Sequence, residues 1–281
     1  MNPSFTEVAL QAKRIELKTG HGVQCWHVWR EGAGQPLVLL HGGSGSWTHW
    51  ARNVLDLSQD REVWAVDLPG MGDSDLPLGA LDAHDLHHPL EAGLQQLFGP
   101  SSLDMVGFSF GGLVLGYLAA THPERVKRMV MVGIPGLGLS NQITQMRGFR
   151  EGMSQQDRRQ VHQHNLQVLM LHDASMISTE LLHQQEDNVV RDRLRRRRMA
   201  RSDAMLGLQS RWQCPVHGVW GEHDALYKGK LEALKDRLTG CDLQSFHIVP
   251  KVRPREASTS LISLSDLRPR LGVLSNSFSV R

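Results

Sequence analysis

The feature that most constrains this chain is a series of short, uninterrupted apolar runs, each closed by a glycine-containing turn. "PLVLLHG", "REVWAVDLPG", "SLDMVGF", "VKRMVMVGI" and "CPVHGVWGEHD" have strand length, and helical patterns lie between the later ones. A strand with one wet face alternates apolar and polar residues, whereas a continuous run needs cover on both faces. Runs of this kind alternating with helices predict an α/β fold: a doubly wound, mostly parallel sheet. Two earlier segments, "RIELKTG" and "VQCWHVWREG", also read as strands, the second with a period of two through Val23, Cys25, His27 and Trp29. "LQSFHIVP" reads as the last strand, ending at Pro250. "AHDLHHPLEAGLQQLFG" reads as a helix that Pro89 interrupts unless the helix begins there.

Residues 136–210 break the rhythm, with many helix formers and no strand-like stretch. They predict a helical insertion, 140–208, over the strand ends. The domain reading is therefore a core of 1–139 and 209–250, a helical cap of 140–208, and an atypical tail of 251–281. The run Arg195-Arg196-Arg197-Arg198, with Arg191, Arg193 and Arg201, is the most basic stretch. On a helix these arginines surround the axis and form a solvated surface balanced by Glu186, Asp187 and Asp192. The sharper alternative sends one or two beneath the cap to hold a substrate carboxylate.

At 281 residues with 40% hydrophobic content, the chain can bury a large core. A formal charge of +2 gives no field for nucleic acid or a membrane. The amino-terminal residues lack a signal-peptide pattern, and no apolar run has spanning length. Cys25, Cys214 and Cys241 are too few and scattered for a disulfide framework, which predicts a cytoplasmic protein. His162, His164, His172 and His183 lack ligand spacing, so no metal and no cofactor is expected. Trp47 and Trp50 are expected to start a helix and pack in the core. The expected partner is a small-molecule substrate; a homo-oligomer stays open.

The chemistry gathers at Gly107-Phe108-Ser109-Phe110-Gly111, a G-x-S-x-G between a strand and a helix. A serine on that turn stands at the carboxyl edge of the sheet, where ligands bind, with helix N–H groups behind it. "LVLLHGGSGSW" presents the backbone N–H of Gly43 as one oxyanion donor, and Phe110 supplies the other. Asp224, in "VWGEHDAL", lies just past a strand end, where it can orient a histidine.

These pieces resemble the α/β-hydrolase family: a His-Gly-Gly loop, D-x-P-G-x-G-x-S-D over 67–75, the G-x-S-x-G elbow, H-P-E-R-V over 122–126 and G-E-x-D over 221–224. The resemblance covers about residues 13–250. It implies Ser109 as nucleophile, Asp224 as triad acid, Gly43 and Phe110 as oxyanion donors, and a cap in 140–208. Serine rather than aspartate at 109 argues against the dehalogenase and epoxide-hydrolase branches. The general look is similar to meta-cleavage-product hydrolases, which split C–C bonds. Phe108, where that branch has asparagine, and Gln185 and Glu186, where it has arginine, depart from it and favour carboxylic-ester hydrolysis at least as strongly.

The family's catalytic histidine follows the last strand in a G-x-G-H context. Here residues 251–281 contain seven serines, five arginines and no histidine. The abrupt change of composition at Lys251 reads as a frameshift product, with a diverged terminus as the alternative. After Asp224 the only histidine is His247, which the strand pattern makes structural; His41 and His122 are poorly placed as bases. Two function readings stand: a serine hydrolase working through an acyl-enzyme, and an impaired member of the fold that only binds a small ligand.

Overall fold

The computed structural model describes residues 3–141, 145–171, 174–194 and 197–250. The sequence reading of 251–281 as a segment that leaves the site incomplete falls outside them. Eight strands form one sheet: β1 (Lys13–Thr19), β2 (Gly22–Trp29), β3 (Leu37–Leu40), β4 (Val63–Val66), β5 (Leu103–Phe108), β6 (Val126–Val132), β7 (Val216–Gly221) and β8 (Leu243–Val249). Their order across the sheet is β1-β2-β4-β3-β5-β6-β7-β8. β1 and β2 pair antiparallel, as do β2 and β4, and every other pair is parallel. Every residue of β3 and β4 is buried, as their continuous apolar sequences require.

The order places the site. From β3 the chain steps one way to β4, then returns past β3 to β5, so its winding reverses between β3 and β5. A crevice opens outside the carboxyl ends of two strands at such a reversal. The loop after β3 and the turn after β5 are therefore neighbours, although 68 residues separate Ser109 from His41 in the chain.

Among the described residues seven α-helices accompany the sheet: α1 (Phe5–Leu10), α2 (Val54–Leu57), α3 (His87–Phe98), α4 (Phe110–Thr121), α5 (Gln155–Leu169), α6 (Thr179–Val190) and α7 (Leu231–Lys235). Pro89 lies inside the first turn of α3, where a missing N–H costs no helical hydrogen bond. Alternate residues of the strands feed two cores. Val38, Leu40, Leu113 and Met131 pack on one face, and Leu37, Leu39, Val106 and Val130 on the other. Trp47–Trp50 forms a short 3-10 turn rather than the start of a long helix. Its tryptophans are buried, and Trp47 packs 5.0 Å from the His27 ring and 5.5 Å from Trp29, centre to centre.

Between β6 and β7 the described residues contain α5, α6 and short 3-10 turns, with no strand. Ser154 and Ser178 cap the two helices by accepting from the amides of Asp157 and Leu181. The segment leaves and re-enters the core through a closed neck. Gly138 N–H donates to Ser202 O at 3.2 Å, and Met205 N–H donates to Gly136 O at 3.0 Å.

The arginine-rich stretch departs from its sequence reading. α6 ends at Val190, so Arg191 and Arg193 lie past it and do not ring a helix. Arg193 N–H donates to Gly70 O at 2.8 Å, its guanidinium donates to the carbonyls of Gly72 and Ser74, and Arg191 pairs with Asp73 at 2.8 Å. The stretch is an anchor on the turn that follows β4. No helix among the described residues is long and apolar enough to cross a membrane.

Candidate active site

Ser109 stands between β5 and α4 with φ 48° and ψ −116°. A serine at positive φ stores about 1–3 kcal/mol of backbone strain. The strain is held by packing that only glycine permits. A β-carbon on Gly107 would stand 2.6 Å from Gly112 Cα, and one on Gly111 would stand 2.4 Å from Leu40 O. Those approaches press the turn against β3 and leave Ser109 half-buried at the head of α4. Its own N–H donates to Val132 O at 2.8 Å, so it is tied to the end of β6.

The loop after β3 lies across this turn. A β-carbon on Gly42 would stand 3.4 Å from Ser109 Cβ. His41 fixes the loop: its Nδ1 lies 2.7 Å from Gly42 O, and its Nε2 accepts from Leu68 N–H at 2.9 Å. The ring is therefore the neutral tautomer that donates from Nδ1. Burial pushes its pKa down to about 4. Both nitrogens are occupied, which removes His41 as a base. Gly42 N–H donates to His49 Nδ1 at 3.2 Å. The N–H groups of Gly43 and Phe110, the two sequence-predicted donors, make no hydrogen bond among the described residues.

One arginine of the basic stretch reaches this place. A β-carbon on Gly43 would meet Arg197 Nη1 at 2.8 Å, and Arg197 Cζ lies 5.5 Å from the centre of the Phe110 ring. The guanidinium thus lies against both donor residues. Asp192 pairs with it, and Ser44 Oγ accepts from Nη1 at 3.1 Å while donating to Asp192 Oδ2 at 2.7 Å.

Asp224 follows β7 and faces the same edge. A β-carbon on Gly133, at the end of β6, would stand 3.2 Å from Asp224 Oδ2 and 3.9 Å from Phe108. Burial raises the Asp224 carboxyl to about 6, opposed by the amides of Leu226 and Tyr227. The Leu226 N–H bond to Oδ1 measures 2.9 Å. No imidazole hydrogen-bonds to this carboxylate among the described residues. His247 sits within β8 opposite Val219, in the body of the sheet. His122 lies past the far end of α4, and a twelve-residue helix at ~1.5 Å per residue separates it from Ser109 by roughly 18 Å. The structure thus brings Ser109, Gly43 and Phe110 together, puts Asp224 beyond Phe108, and leaves the place of a base without a described histidine.

One trio of possible metal-ligand atoms occurs among the described residues, from Cys25, Asp67 and Asp73. Its acids are already engaged. Asp67 accepts from the amides of Trp47 and Asp73 at 2.8 and 2.9 Å, and Asp73 pairs with Arg14 and Arg191. Burial pushes the Cys25 thiol up to about 12, which disfavours the thiolate that a metal needs.

Two residues near the site were not singled out from the sequence. His49 and Arg52, in "WTHWAR", face a narrow cleft behind the loop. Their signal was available: two polar residues three apart in a stretch where Trp47, Trp50 and Ala51 are core.

A model of the family described as alpha/beta hydrolase fold matches residues 35–217. The chain is 37% identical over 109 residues to the 2-hydroxymuconate semialdehyde hydrolase of Pseudomonas sp. (strain CF600), covering 38% of each chain. It is 38% identical over 109 residues to the pimeloyl-(acyl-carrier protein) methyl ester esterase of Vibrio atlanticus (strain LGP32), again 38% of each. Those matches span well under half the length of the curated relatives. Among solved structures it is similar to carboxylesterase CesB of Bacillus subtilis, with a TM-score of 0.71 and 19% identity over 95% of this chain and 97% of that one.

Proposed function

This chain belongs to the alpha/beta hydrolase fold family, and on that premise we propose that it is a serine hydrolase of a small carbonyl substrate, with Ser109 as nucleophile. The observation that carries this reading is the backbone of Ser109 at positive φ, beside the N–H groups of Gly43 and Phe110, which have no acceptor among the described residues. Strain of this kind persists where function requires it. In the proposed reaction, Ser109 Oγ bonds to the carbonyl carbon and the carbonyl oxygen becomes an oxyanion held by the two N–H groups. The bond to the leaving group then breaks, the leaving group takes a proton, and water releases the acyl group as a carboxylic acid. Each oxyanion donor contributes about 3–4 kcal/mol to such a transition state. Arg197, beside both donors, adds positive potential where the oxyanion forms. The helical segment between β6 and β7 serves as the cap.

Carboxylic-ester cleavage is the form carried forward. Relatives that split esters and relatives named for ring-fission products both resemble this chain. Phe108 and Gln185 depart from the residues expected for C–C cleavage. The free thiols of Cys25, Cys214 and Cys241 fit a reducing, cytoplasmic setting.

A second reading, a fold member that binds a small ligand without turnover, is favoured by one observation: 251–281 contains no histidine and no described imidazole reaches Asp224. A fluorophosphonate probe and a p-nitrophenyl ester separate the two. Labelling lost in Ser109→Ala, together with ester turnover, supports the hydrolase. Labelling without turnover supports the binding reading. Labelling that survives Ser109→Ala removes Ser109 from either account.

A further inference from the structure

An open-mouthed cleft, its enclosed part ≈ 30 Å³, lies between α5, α6 and the Trp47–Trp50 turn. Ser109 does not line it. Its walls divide by chemistry. Leu166, Met170, Leu181 and Phe5 give an apolar side, while His49 and Arg52 give two nitrogen donors.

Neither donor has an acceptor among the described residues. His49 Nδ1 accepts from Gly42 N–H, which leaves the proton of the neutral ring on Nε2. That Nε2 is buried without a hydrogen-bond partner, in a residue only 6% exposed. Leaving a buried donor without an acceptor is costly, and a ligand that supplies the acceptor removes that cost. Arg52 is half-buried, and its guanidinium makes no hydrogen bond or ion pair with any described residue. Burial lowers its pKa, with Glu180 acting in the opposite sense from a distance. Two of the other polar walls, Thr48 and Asn188, are satisfied. Thr48 Oγ1 accepts from Asn188 Nδ2 at 3.1 Å, and Asn188 Oδ1 accepts from Ser46 Oγ and Gln184 Nε2. The cleft therefore offers two donors without a described acceptor, one of them cationic, beside an apolar wall and the side-chain amides of Gln184 and Gln185.

We infer that this cleft binds a small amphiphilic carboxylate, its head on Arg52 and His49 Nε2 and its chain along Leu166, Met170 and Leu181. A guanidinium takes a carboxylate with two parallel hydrogen bonds, and a third donor at one edge fixes its orientation. An uncharged polar head would give the half-buried guanidinium no counter-charge beyond the more distant Glu180. This inference does not rest on the reactivity of Ser109.

The test uses the full chain carrying Ser109→Ala, so that hydrolysis cannot contribute, with octanoate and octanamide as probes in calorimetric titrations. Octanoate is expected to bind at least tenfold tighter than octanamide. Arg52→Met should remove that preference while octanamide affinity is unchanged, and Arg52→Lys should keep part of it. Leu181→Trp, which fills the apolar side, should weaken both probes. Thermal melts of each variant verify folding. Equal affinity for the two probes, or a preference for octanoate that survives Arg52→Met, overturns the inference.

Discussion

The N–H of Ser109 donates to the carbonyl of Val132 at 2.8 Å, so the strained residue of the elbow hangs from the last residue of the neighbouring strand. That bond, with the close approach of Gly111 to β3, holds a serine where glycine would be relaxed. Ser109→Gly is therefore expected to raise stability by about 1 kcal/mol in urea denaturation, by removing the positive-φ cost. Ser109→Ala keeps the β-carbon and should give no such gain. A stabilisation of equal size in both variants would place the strain elsewhere.

Gly111→Ala should act in the opposite direction. Its β-carbon would stand 2.4 Å from Leu40 O and 2.5 Å from His41 O, both backbone atoms that cannot rotate away. Overpacking of this kind costs about 1–3 kcal/mol. The same measurement should find that loss, together with lost fluorophosphonate labelling, because β3 must move away from the elbow.

Asp224 gives a pH signature. Its carboxyl is raised from 3.8 to about 6, so the native chain binds more protons than the unfolded chain between those values. Stability from this group therefore falls as pH rises through that window, and the whole cost, about 3 kcal/mol, is present above pH 6. Asp224→Asn keeps an oxygen for the Leu226 amide and removes the charge. The difference in unfolding free energy between variant and wild type should be near zero below pH 3.8 and grow in favour of the variant up to about pH 6. A constant difference across that range would show that the carboxyl titrates normally.

Arg197 joins the helical segment to the loop after β3 through Asp192 and Ser44. Arg197→Met should leave the melting temperature of the core within a few degrees. It should increase limited proteolysis between residues 145 and 194 by severalfold, since the contact holds one side of that segment. Unchanged cleavage would mean that Arg191 and Arg193 hold the segment alone.

The strands were legible because their apolar runs need cover on both faces, and "LVLL" and "VWAV" became the fully buried β3 and β4. The elbow was legible because two glycines at fixed offsets around a serine serve a steric need that is local. Arg191 and Arg193 depart from the helix reading. The composition of their stretch suits a helix, but the carbonyls of Gly70, Gly72 and Ser74 and the carboxylate of Asp73 capture Arg193 and Arg191, and those partners lie more than a hundred residues away in sequence. His49 and Arg52 were missed for a related reason. Their neighbours were assigned to the core, and only the docking of α5 and α6 turns that patch into a cleft.

The neck at Gly136–Gly138 and Ser202–Met205 has a consequence for how such a chain can change. Its two sides are hydrogen-bonded to each other, so whatever lies between them is closed off at its base like an exchangeable cassette. Sequence inside it, apart from the anchors at Asn188, Arg191, Arg193 and Arg197, can be shortened or lengthened while the sheet below registers little of the change. The helical segment and the elbow can thereby vary as separate traits.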